Sequence, residues 1–455
     1  MSTVQAKKPF PPFPVEKHWL FGSGYLLKKD PLNQINHFIK KYGDIFSLSV
    51  PMHKVAIVST PEFARYILLD NNKNYTKSLA YDLLRILLGN GLLTSEGDFW
   101  KKQRKLIQPA FHKRKLEELA AMMLACAEQT ADKFEKYAST GEDFNMLPEM
   151  TALTLEVISK AIFSAGVDDK ADLVGKQITL LNEYMMEKIN RPFRLPAIIP
   201  TPFNVKERKA LKILDDIIYD IIDNRRKEGV SKNDLLSLLM DARDEETGES
   251  MDNKQLRDEL MTIFVAGNET SSNALTWTFY LLSQNPDAQE KMIREIDAKL
   301  DAGLVLGFNT VNEFHYVRQV IEESMRLFPP VWSIGRRTIE DDEIGGYRIE
   351  KQTNVLIPLI YLHRSEKYWE EPTKFKPERF APEIRNSIDR YIYFPFGGGP
   401  RLCIGNNFAM LEMQLILIVL YKRFRFKLQP GFKVEAEPIV TLRPKHGLMV
   451  NAVHK

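Results

Sequence analysis

The sequence has very little cysteine and no long apolar run. Its 455 residues include only two cysteines, Cys126 and Cys403. Two such residues exclude a disulfide framework, and they lack the paired spacing of a zinc site. We therefore expect a reducing, cytoplasmic setting. The longest apolar stretch, residues 408–421, contains Glu412 and Gln414 and is too short for a bilayer, so it predicts a buried helix.

Strong charge of either sign is also missing. The chain has 63 Lys and Arg against 60 Asp and Glu, a net charge of +3 and a pI near 8.5. This balance is too mild to indicate a nucleic-acid partner. Residues 1–20 contain no signal peptide and no membrane-anchor pattern. With 44% hydrophobic and 27% charged residues, the composition is that of a globular protein and excludes disorder, collagen and coiled coil.

Most of the chain has the apolar period of helices. Turn residues and caps predict further elements: a helix at 32–42 ended by Gly43, a hairpin at 46–59 around Pro51, a long helix at 254–284, strands at 343–362 and a last helix from Asn406. The long helix is capped by Asp252 and stopped by Pro286, after a polar loop at 241–253.

These elements predict a mainly α chain of the α+β class, with small sheets near each end of the sequence. Residues 1–30 form a proline-rich lead-in, and residues 31–455 form one large helix-rich domain. No repeat of 20 to 50 residues is visible, which argues against solenoids and propellers.

The most informative segment is the cysteine loop, residues 396–405, with the sequence FGGGPRLCIG. Three glycines let backbone amides crowd around one point, and the N-terminus of the following helix adds positive potential. Both effects favour a thiolate at Cys403. From these residues alone, Cys403 is a nucleophile, a redox sensor, an iron ligand or an inert buried thiol.

The loop resembles the haem-binding signature F-x-x-G-x-R-x-C-x-G of the cytochrome P450 family, the haem-thiolate monooxygenases. All five fixed positions match: Phe396, Gly399, Arg401, Cys403 and Gly405. The resemblance implies haem b between the long central helix and the cysteine-loop helix, with Cys403 as the axial iron ligand and Phe396 shielding the sulfur. Branches that esterify haem need an acid where Ala266 stands, so the haem is expected to be held non-covalently.

Glu323 and Arg326 lie three residues apart, hence on one helix face, and such a pair is usually a surface ion pair. They also resemble the family's E-x-x-R motif. A later loop, residues 375–380, supplies the arginine that completes this motif, Arg379. The resemblance implies that the three residues are a structural triad that supports the cysteine loop.

Within the long helix, Ala266-Gly267-Asn268-Glu269-Thr270 is awkward for a regular helix. Gly267 costs about 1 kcal/mol relative to alanine, and Thr270 can bond back to the carbonyl of residue 266, so we expect a bend. An ordinary polar patch is the alternative. The segment looks like the family's A/G-G-x-D/E-T motif, which implies that Ala266 and Gly267 border the oxygen site and that Thr270 and Glu269 manage protons.

Four residues are implied to hold the haem propionates. Trp100 and Arg104 are one turn apart in a W-x-x-x-R pattern, for which a core tryptophan beside a surface arginine is the alternative. The other two are Arg336 and Arg401. Arg337, adjacent to Arg336, competes for the same assignment.

Residues 101–115 contain seven basic and no acidic side chains. Such a run is often only a solvated face. The resemblance places it on the cysteine side of the haem, where it would receive an acidic ferredoxin or flavodoxin with its reductase.

The resemblance thus implies insertion of one oxygen atom from O2 into a lipophilic substrate such as a fatty acid or terpenoid, with electrons from NAD(P)H through separate partners. The expected enzyme is a monomer without a membrane anchor. Peroxygenase, isomerase or dehydratase chemistry on the same site, and a haem-based sensor, are alternatives. Apolar segments at 81–93, 264–266 and 331–334 are the expected substrate contacts.

Overall fold

A computed structural model describes residues 8–18, 22–28, 30–50, 53–164, 199–229, 232 and 234–455, with scattered positions between 173 and 184. Contacts divide the chain into two compact units. Unit 1 comprises residues 1–82, 326–374 and 383–403, and unit 2 comprises residues 83–325, 375–382 and 404–455. The single domain expected over 31–455 stays a prediction, and Pro51 lies outside the described residues.

The helices among the described residues are, in chain order, α1 (Pro31–Tyr42), α2 (Pro61–Arg65), α3 (Tyr81–Leu88), α4 (Gly97–Ile107), α5 (Lys113–Thr140), α6 (Met146–Phe163), α7 (Pro202–Glu228), α8 (Leu235–Asp241), α9 (Asn253–Gln284), α10 (Pro286–Asp301), α11 (His315–Leu327), α12 (Leu359–His363), α13 (Pro382–Arg385) and α14 (Asn406–Arg423).

The strands are β1 (Ile45–Val50), β2 (His53–Val58), β3 (Tyr75–Lys77), β4 (Asp143–Asn145), β5 (Ile334–Thr338), β6 (Asp342–Ile344), β7 (Tyr347–Ile349), β8 (Asn354–Ile357), β9 (Phe424–Leu428), β10 (Ala436–Pro438), β11 (Leu442–Pro444) and β12 (Met449–His454).

Unit 1 is built on a five-stranded sheet with the order β1-β2-β8-β5-β3. β2 and β8 are parallel, and the other neighbours are antiparallel. The alternating apolar residues of β1 and β2 pack as predicted for a hairpin, with Phe46 and Ile57 fully buried. α1 begins under the Asp30 cap and ends at Gly43, where the backbone turns to a φ of 90°.

One sequence expectation in unit 1 was wrong in part. The strand signal continued to Leu362, but only β6, β7 and β8 are strands, and residues 359–363 form the short helix α12. Pro358 precedes this helix, and its carbonyl accepts hydrogen bonds from the amides of Tyr361 and Leu362. The apolar residues after β8 therefore continue as a helical turn and not as a strand. A short buried apolar run cannot be assigned to strand or helix from periodicity alone.

Unit 2 is organised around α9, a helix of 32 residues. It begins where predicted, because the Asp252 carboxylate accepts a 2.7 Å hydrogen bond from the Gln255 amide. The buried hydroxyls of Thr262 and Thr276 donate hydrogen bonds to helix carbonyls one turn earlier. Because their hydrogen bonds are satisfied within the helix, α9 can be buried on most of its faces.

The last helix, α14, follows the cysteine loop and is buried along most of its length, as residues 408–421 predicted. A three-stranded sheet, β4-β12-β9, and the hairpin β10-β11 complete unit 2. Within the described part of the chain, no helix combines the length and the hydropathy that a membrane span requires.

Candidate active site

The cysteine loop presents the thiol of Cys403 at the surface of unit 1. The Cys403 amide donates a 2.9 Å hydrogen bond to the Phe396 carbonyl, and the Gly397 amide donates one of the same length to the Phe394 carbonyl. These bonds fold the chain back on itself. By contrast, Cys126 is fully buried, and burial raises the pKa of its thiol to about 12, which makes it unreactive.

Gly399 is required by a close backbone approach. Its φ is 66°, and a Cβ at this position would lie 1.8 Å from the Leu68 carbonyl oxygen. No side chain can be accommodated there. The signature glycine therefore lets the loop pack directly on the backbone of residues 68–69.

Arg326 is linked to the cysteine loop through His363, within unit 1. The guanidinium of Arg326 donates to the carbonyls of His363 and Pro372, both at 2.8 Å, and to that of Lys374 at 3.1 Å. His363 in turn accepts a 3.1 Å hydrogen bond from the Phe394 amide at its Nε2. His363 is fully buried.

Glu323 occupies unit 2 and is also fully buried. Its Oε1 accepts a 2.9 Å hydrogen bond from the Lys376 amide and lies 3.5 Å from Nε of Arg379. The alternative of a surface ion pair is therefore wrong for the E-x-x-R residues. The structure brings Glu323 and Arg379 together and places Arg326 in contact with three backbone carbonyls, and the structural triad stays a prediction.

In α9, Thr270 donates a 2.6 Å hydrogen bond to the Ala266 carbonyl, as the sequence predicted. Ala266 is exposed although the helix around it is mostly buried. Gly267 has a packing reason, because a Cβ there would meet Cδ1 of Ile158 on α6 at 3.0 Å. The expected bend stays a prediction.

Glu269 points to the β10-β11 hairpin. Its Oε1 accepts a 2.6 Å hydrogen bond from the Thr441 hydroxyl. Burial raises the pKa of the Glu269 carboxyl, and the Thr441 hydroxyl and the charge of Arg443 offset only part of that rise. The raised pKa favours the protonated form of this carboxyl, which can then act as a proton donor. Sequence reasoning missed Thr441.

The proposed propionate residues are divided between the units. Trp100 and Arg104 lie on α4 and are half-buried in unit 2. Arg336 is buried in β5, where its Nη1 donates to the Gly335 carbonyl at 2.9 Å, and Arg401 is half-buried in the cysteine loop. Their assignment to propionates stays a prediction.

The basic run at 101–115 is less positive than its sequence indicates. The loop at residues 242–252, here called the acidic loop, brings Glu249 to 2.7 Å from Lys102 and Glu245 to 2.7 Å from Lys105. Lys101 pairs with Asp98 at the same distance. Two of the seven basic residues of the run are therefore paired with glutamates from a distant part of the sequence.

Two buried carboxyls were not predicted as functional. Glu259 on α9 accepts a 2.8 Å hydrogen bond from the Leu92 amide, and burial raises its pKa to about 8. Glu412 on α14 is fully buried, which raises its pKa to about 8 beside the Ser271 hydroxyl. Glu259 supports the 81–93 segment expected to contact substrate.

The residues present fit a haem. The loop that packs through Gly399 presents the Cys403 side chain, which can form a thiolate. Ala266 is a small exposed residue within a long and mostly buried helix. Arg336 is a buried arginine of the kind that binds carboxylates. Cys403 is the donor of this set that suits iron in such a group.

These features define a helix-rich protein with a cysteine loop built for a haem-thiolate centre. The family model described as Cytochrome P450 matches residues 11–451. The chain belongs to the cytochrome P450 family, whose cofactor is a haem with thiolate-bound iron, and it is a monooxygenase of that family.

Named relatives agree with this assignment. Cyclooctatin synthase of Streptomyces melanosporofaciens is 32% identical, over 94% of this chain and 95% of its own. Carotene epsilon-monooxygenase of Arabidopsis thaliana is 31% identical, over 90% and 80%. The crystal structure of the cytochrome P450DA haem domain superposes with a TM-score of 0.89, at 26% identity and 98% coverage of both chains.

Proposed function

We propose that this enzyme inserts one oxygen atom from O2 into a C–H bond of a terpenoid or similar lipophilic substrate, with Cys403 as the axial ligand of a non-covalent haem b. The single observation that carries the proposal is the exposed Cys403 thiol on a loop closed by the Phe396 carbonyl and packed through Gly399. The balanced reaction is RH + O2 + 2 e⁻ + 2 H⁺ → ROH + H2O.

Haem with a thiolate-bound iron supplies the reductive activation of O2 and the oxidation of the C–H bond. The chain must supply two protons and exclude bulk water. The Thr270 hydroxyl donates a hydrogen bond to the Ala266 carbonyl, so the hydroxyl oxygen can accept a hydrogen bond from another group. Glu269 exchanges protons with solvent and passes them towards Thr270, which its raised pKa supports.

Holding the cofactor is the role we assign to four further residues. Trp100, Arg104, Arg336 and Arg401 provide an indole N–H and three guanidinium groups for the two propionates. Guanidinium groups suit carboxylates because their N–H donors are arranged as a planar fork. A partly buried position strengthens such pairs, and Arg336 is 7% exposed.

The substrate class is supported by two kinds of evidence. Two relatives, cyclooctat-9-en-7-ol 5-monooxygenase and carotene epsilon-monooxygenase, carry names that give a terpenoid as the substrate. The expected contact segments are largely apolar: Leu92 and Phe264 are buried, and residues 331–334 contain valine, tryptophan and isoleucine. Apolar contacts with a few polar groups hold a lipophilic molecule.

Electrons are proposed to come from NAD(P)H through a ferredoxin or flavodoxin and its reductase. The basic residues of α4 and the start of α5 form the docking surface in this proposal. Electrostatic steering would increase the association rate and weaken with salt. Rates of reduction that do not change with ionic strength would contradict this docking surface.

The first experiment is the absorption spectrum of the purified haem protein after reduction by dithionite and addition of carbon monoxide. Thiolate ligation is expected to give a strongly red-shifted Soret band, and Cys403→Ser is expected to abolish it. Cys126→Ser is the matched control and should keep the band. An imidazole-like band in intact wild-type protein would overturn the proposal.

The second experiment tests the substrate class with lauric acid, geranylgeraniol and small polar alcohols. Displacement of water from iron by the lipophilic compounds, followed by product analysis with a surrogate ferredoxin system, is the expected result. Binding of the polar alcohols alone would contradict a lipophilic substrate. Oxidation with peroxide but none with O2 would identify a peroxygenase instead.

A further inference from the structure

Three residues of α9 contact the β10-β11 hairpin at spacings of four residues. Glu269 accepts a hydrogen bond from the Thr441 hydroxyl, and the Asn273 amide donates one to the oxygen of the same hydroxyl at 3.1 Å. The indole N–H of Trp277 donates a hydrogen bond to the Leu442 carbonyl at 3.0 Å. Residues four apart lie on one helix face. This face therefore fixes the hairpin against α9 at residues 441–442.

The hydrogen-bond directions at Thr441 are determined by its neighbours. The amide nitrogen of Asn273 can only donate, so the Thr441 oxygen accepts from it. The single hydroxyl proton is then directed at Oε1 of Glu269. The hydrogen bond from Thr441 therefore fixes the position of Oε1 of the Glu269 carboxyl.

The environment of these groups makes the arrangement rigid. Thr441 is 5% exposed, and Asn273 and Trp277 are almost fully buried. Among the described residues, the charge that acts on Glu269 is that of Arg443, which pairs with Glu437 at 2.9 Å, while Glu412 on α14 lies beside Ser271. Buried hydrogen-bonded networks of this kind hold side chains in one orientation.

We propose that Thr441 is a positioning residue for Glu269: its hydroxyl holds Oε1 of the carboxyl on the hairpin and so fixes the orientation in which Glu269 exchanges protons. The proposal deepens the proposed function, because it rests on Glu269 as the residue that passes protons to Thr270. Thr441 itself contacts neither substrate nor cofactor in this proposal.

An infrared pH titration of the full haem protein tests this contact without turnover. The carbonyl-stretch band of protonated Glu269 is assigned by its loss in Glu269→Gln. In Thr441→Val, loss of a donor to Oε1 is expected to move the band to higher wavenumber and to weaken acid dissociation about 3- to 10-fold. Thr441→Ser is expected to restore both.

Thr278→Val is the matched control, because the Thr278 hydroxyl bonds only a helix carbonyl in the same element, at 2.8 Å from the Ala274 oxygen. It should leave the Glu269 band unchanged. Asn273→Ala tests the link without altering the hairpin and should displace the band in the same direction by a smaller amount.

A band and titration midpoint in Thr441→Val equal to those of wild type, or failure of Thr441→Ser to restore them, would overturn the proposal. The titration does not depend on oxygenation. A protein that shows the Thr441 effect but lacks the red-shifted carbon monoxide band would refute the proposed function while leaving the contact established.

Discussion

Thr270 and Gly399 each owe their identity to one close contact. The Thr270 hydroxyl reaches the Ala266 carbonyl within its own helix, and Gly399 lies against the Leu68 backbone. The first contact is local and could be predicted from sequence. The second joins residues more than 300 positions apart, so only the family signature indicated that this glycine mattered.

Replacing Thr270 by alanine tests its proton role. Because the hydroxyl is lost, Thr270→Ala is expected to release peroxide from NADPH-derived electrons on the order of tenfold more than wild type. Peroxide and product are measured per NADPH oxidised, with a substrate found by product analysis. Thr276→Ala, which removes a similar back-bonded hydroxyl from α9, is the control. A fully coupled Thr270→Ala enzyme would refute the role.

Alanine at Gly399 is expected to prevent stable haem binding, because its Cβ would overlap the Leu68 carbonyl oxygen. Gly397 is the matched control: its φ is 75°, but the nearest atom to an added Cβ is 3.8 Å away. Gly397→Ala should cost only about 1–2 kcal/mol of backbone strain. Haem content and urea unfolding measure both variants, and equal losses would contradict the packing argument.

Among the elements, α9 has separate tasks along its length. Its first half holds the 89–94 segment, since Asp258 accepts from the Asn90 amide at 2.9 Å and Glu259 accepts from the Leu92 amide. Its middle carries Ala266, Glu269 and Thr270. Its caps were predictable from local residues, but the partners along its faces come from other parts of the chain.

Glu259 makes stability depend on pH. Its pKa is about 8 in the folded protein against an ordinary value of 4.5, so between these values the folded state binds more protons than the unfolded state. The free energy of unfolding therefore falls as pH rises from about 5 to 8 and levels off above. Glu259→Gln keeps an acceptor for Leu92 and removes this titration.

The expected result is that urea unfolding of Glu259→Gln loses less free energy between pH 5.5 and 8.5 than wild type, by on the order of 2–3 kcal/mol. Glu142→Gln, at an exposed position, is the control and should follow wild type. If the Glu259→Gln and wild-type profiles were parallel, Glu259 would be ionised in the fold.

The acidic loop should reduce the attraction of α4 for an acidic electron donor. Removing two of its negative charges in the double variant Glu245→Gln and Glu249→Gln leaves Lys102 and Lys105 without these ion pairs. Reduction by an acidic ferredoxin at low salt should become several-fold faster, with a steeper salt dependence. Stopped-flow reduction measures the rate.

Substituting two exposed acids outside the acidic loop, Glu142 and Glu383, by glutamine removes the same charge and provides the control for that experiment. It should change the rate much less than the acidic-loop variant. Equal effects of the two double variants would show that net charge, and not the surface of α4, governs the reduction.

At the scale of the whole molecule, Arg326 makes long-range hydrogen bonds to backbone carbonyls, and the support that it is expected to give the cysteine loop stays a prediction. The guanidinium of Arg326 donates hydrogen bonds to the carbonyls of residues 363, 372 and 374, and the side chain is fully buried. Lysine cannot replace the planar fork, so Arg326→Lys is expected to lose about 3–5 kcal/mol of stability and most of its haem. Unfolding in urea and the haem-to-protein ratio measure this.

Arg318→Lys, on the same helix but about half exposed, is the control and should change stability by less than about 0.5 kcal/mol. Full haem content and unchanged unfolding in Arg326→Lys would show that the carbonyl contacts carry little of the stability of unit 1.

The sequence by itself determined the mainly α character, the boundaries of α1 and α9, the start of α14 and the Thr270 back-bond. Each of these depends on residues close together in the chain, because caps, helical periodicity and turns are local interactions. The cysteine loop was identified by its resemblance to the family signature, because its residues alone left several roles open for Cys403.

Only the tertiary structure decided that residues 359–363 are helical, that Glu245 and Glu249 pair with lysines of α4, and that Thr441 holds Glu269. It also decided the burial that raises the pKa of Glu259 and Glu412. These properties arise where elements far apart in sequence pack together, and burial and partner are set by that packing and not by a side chain's neighbours along the chain.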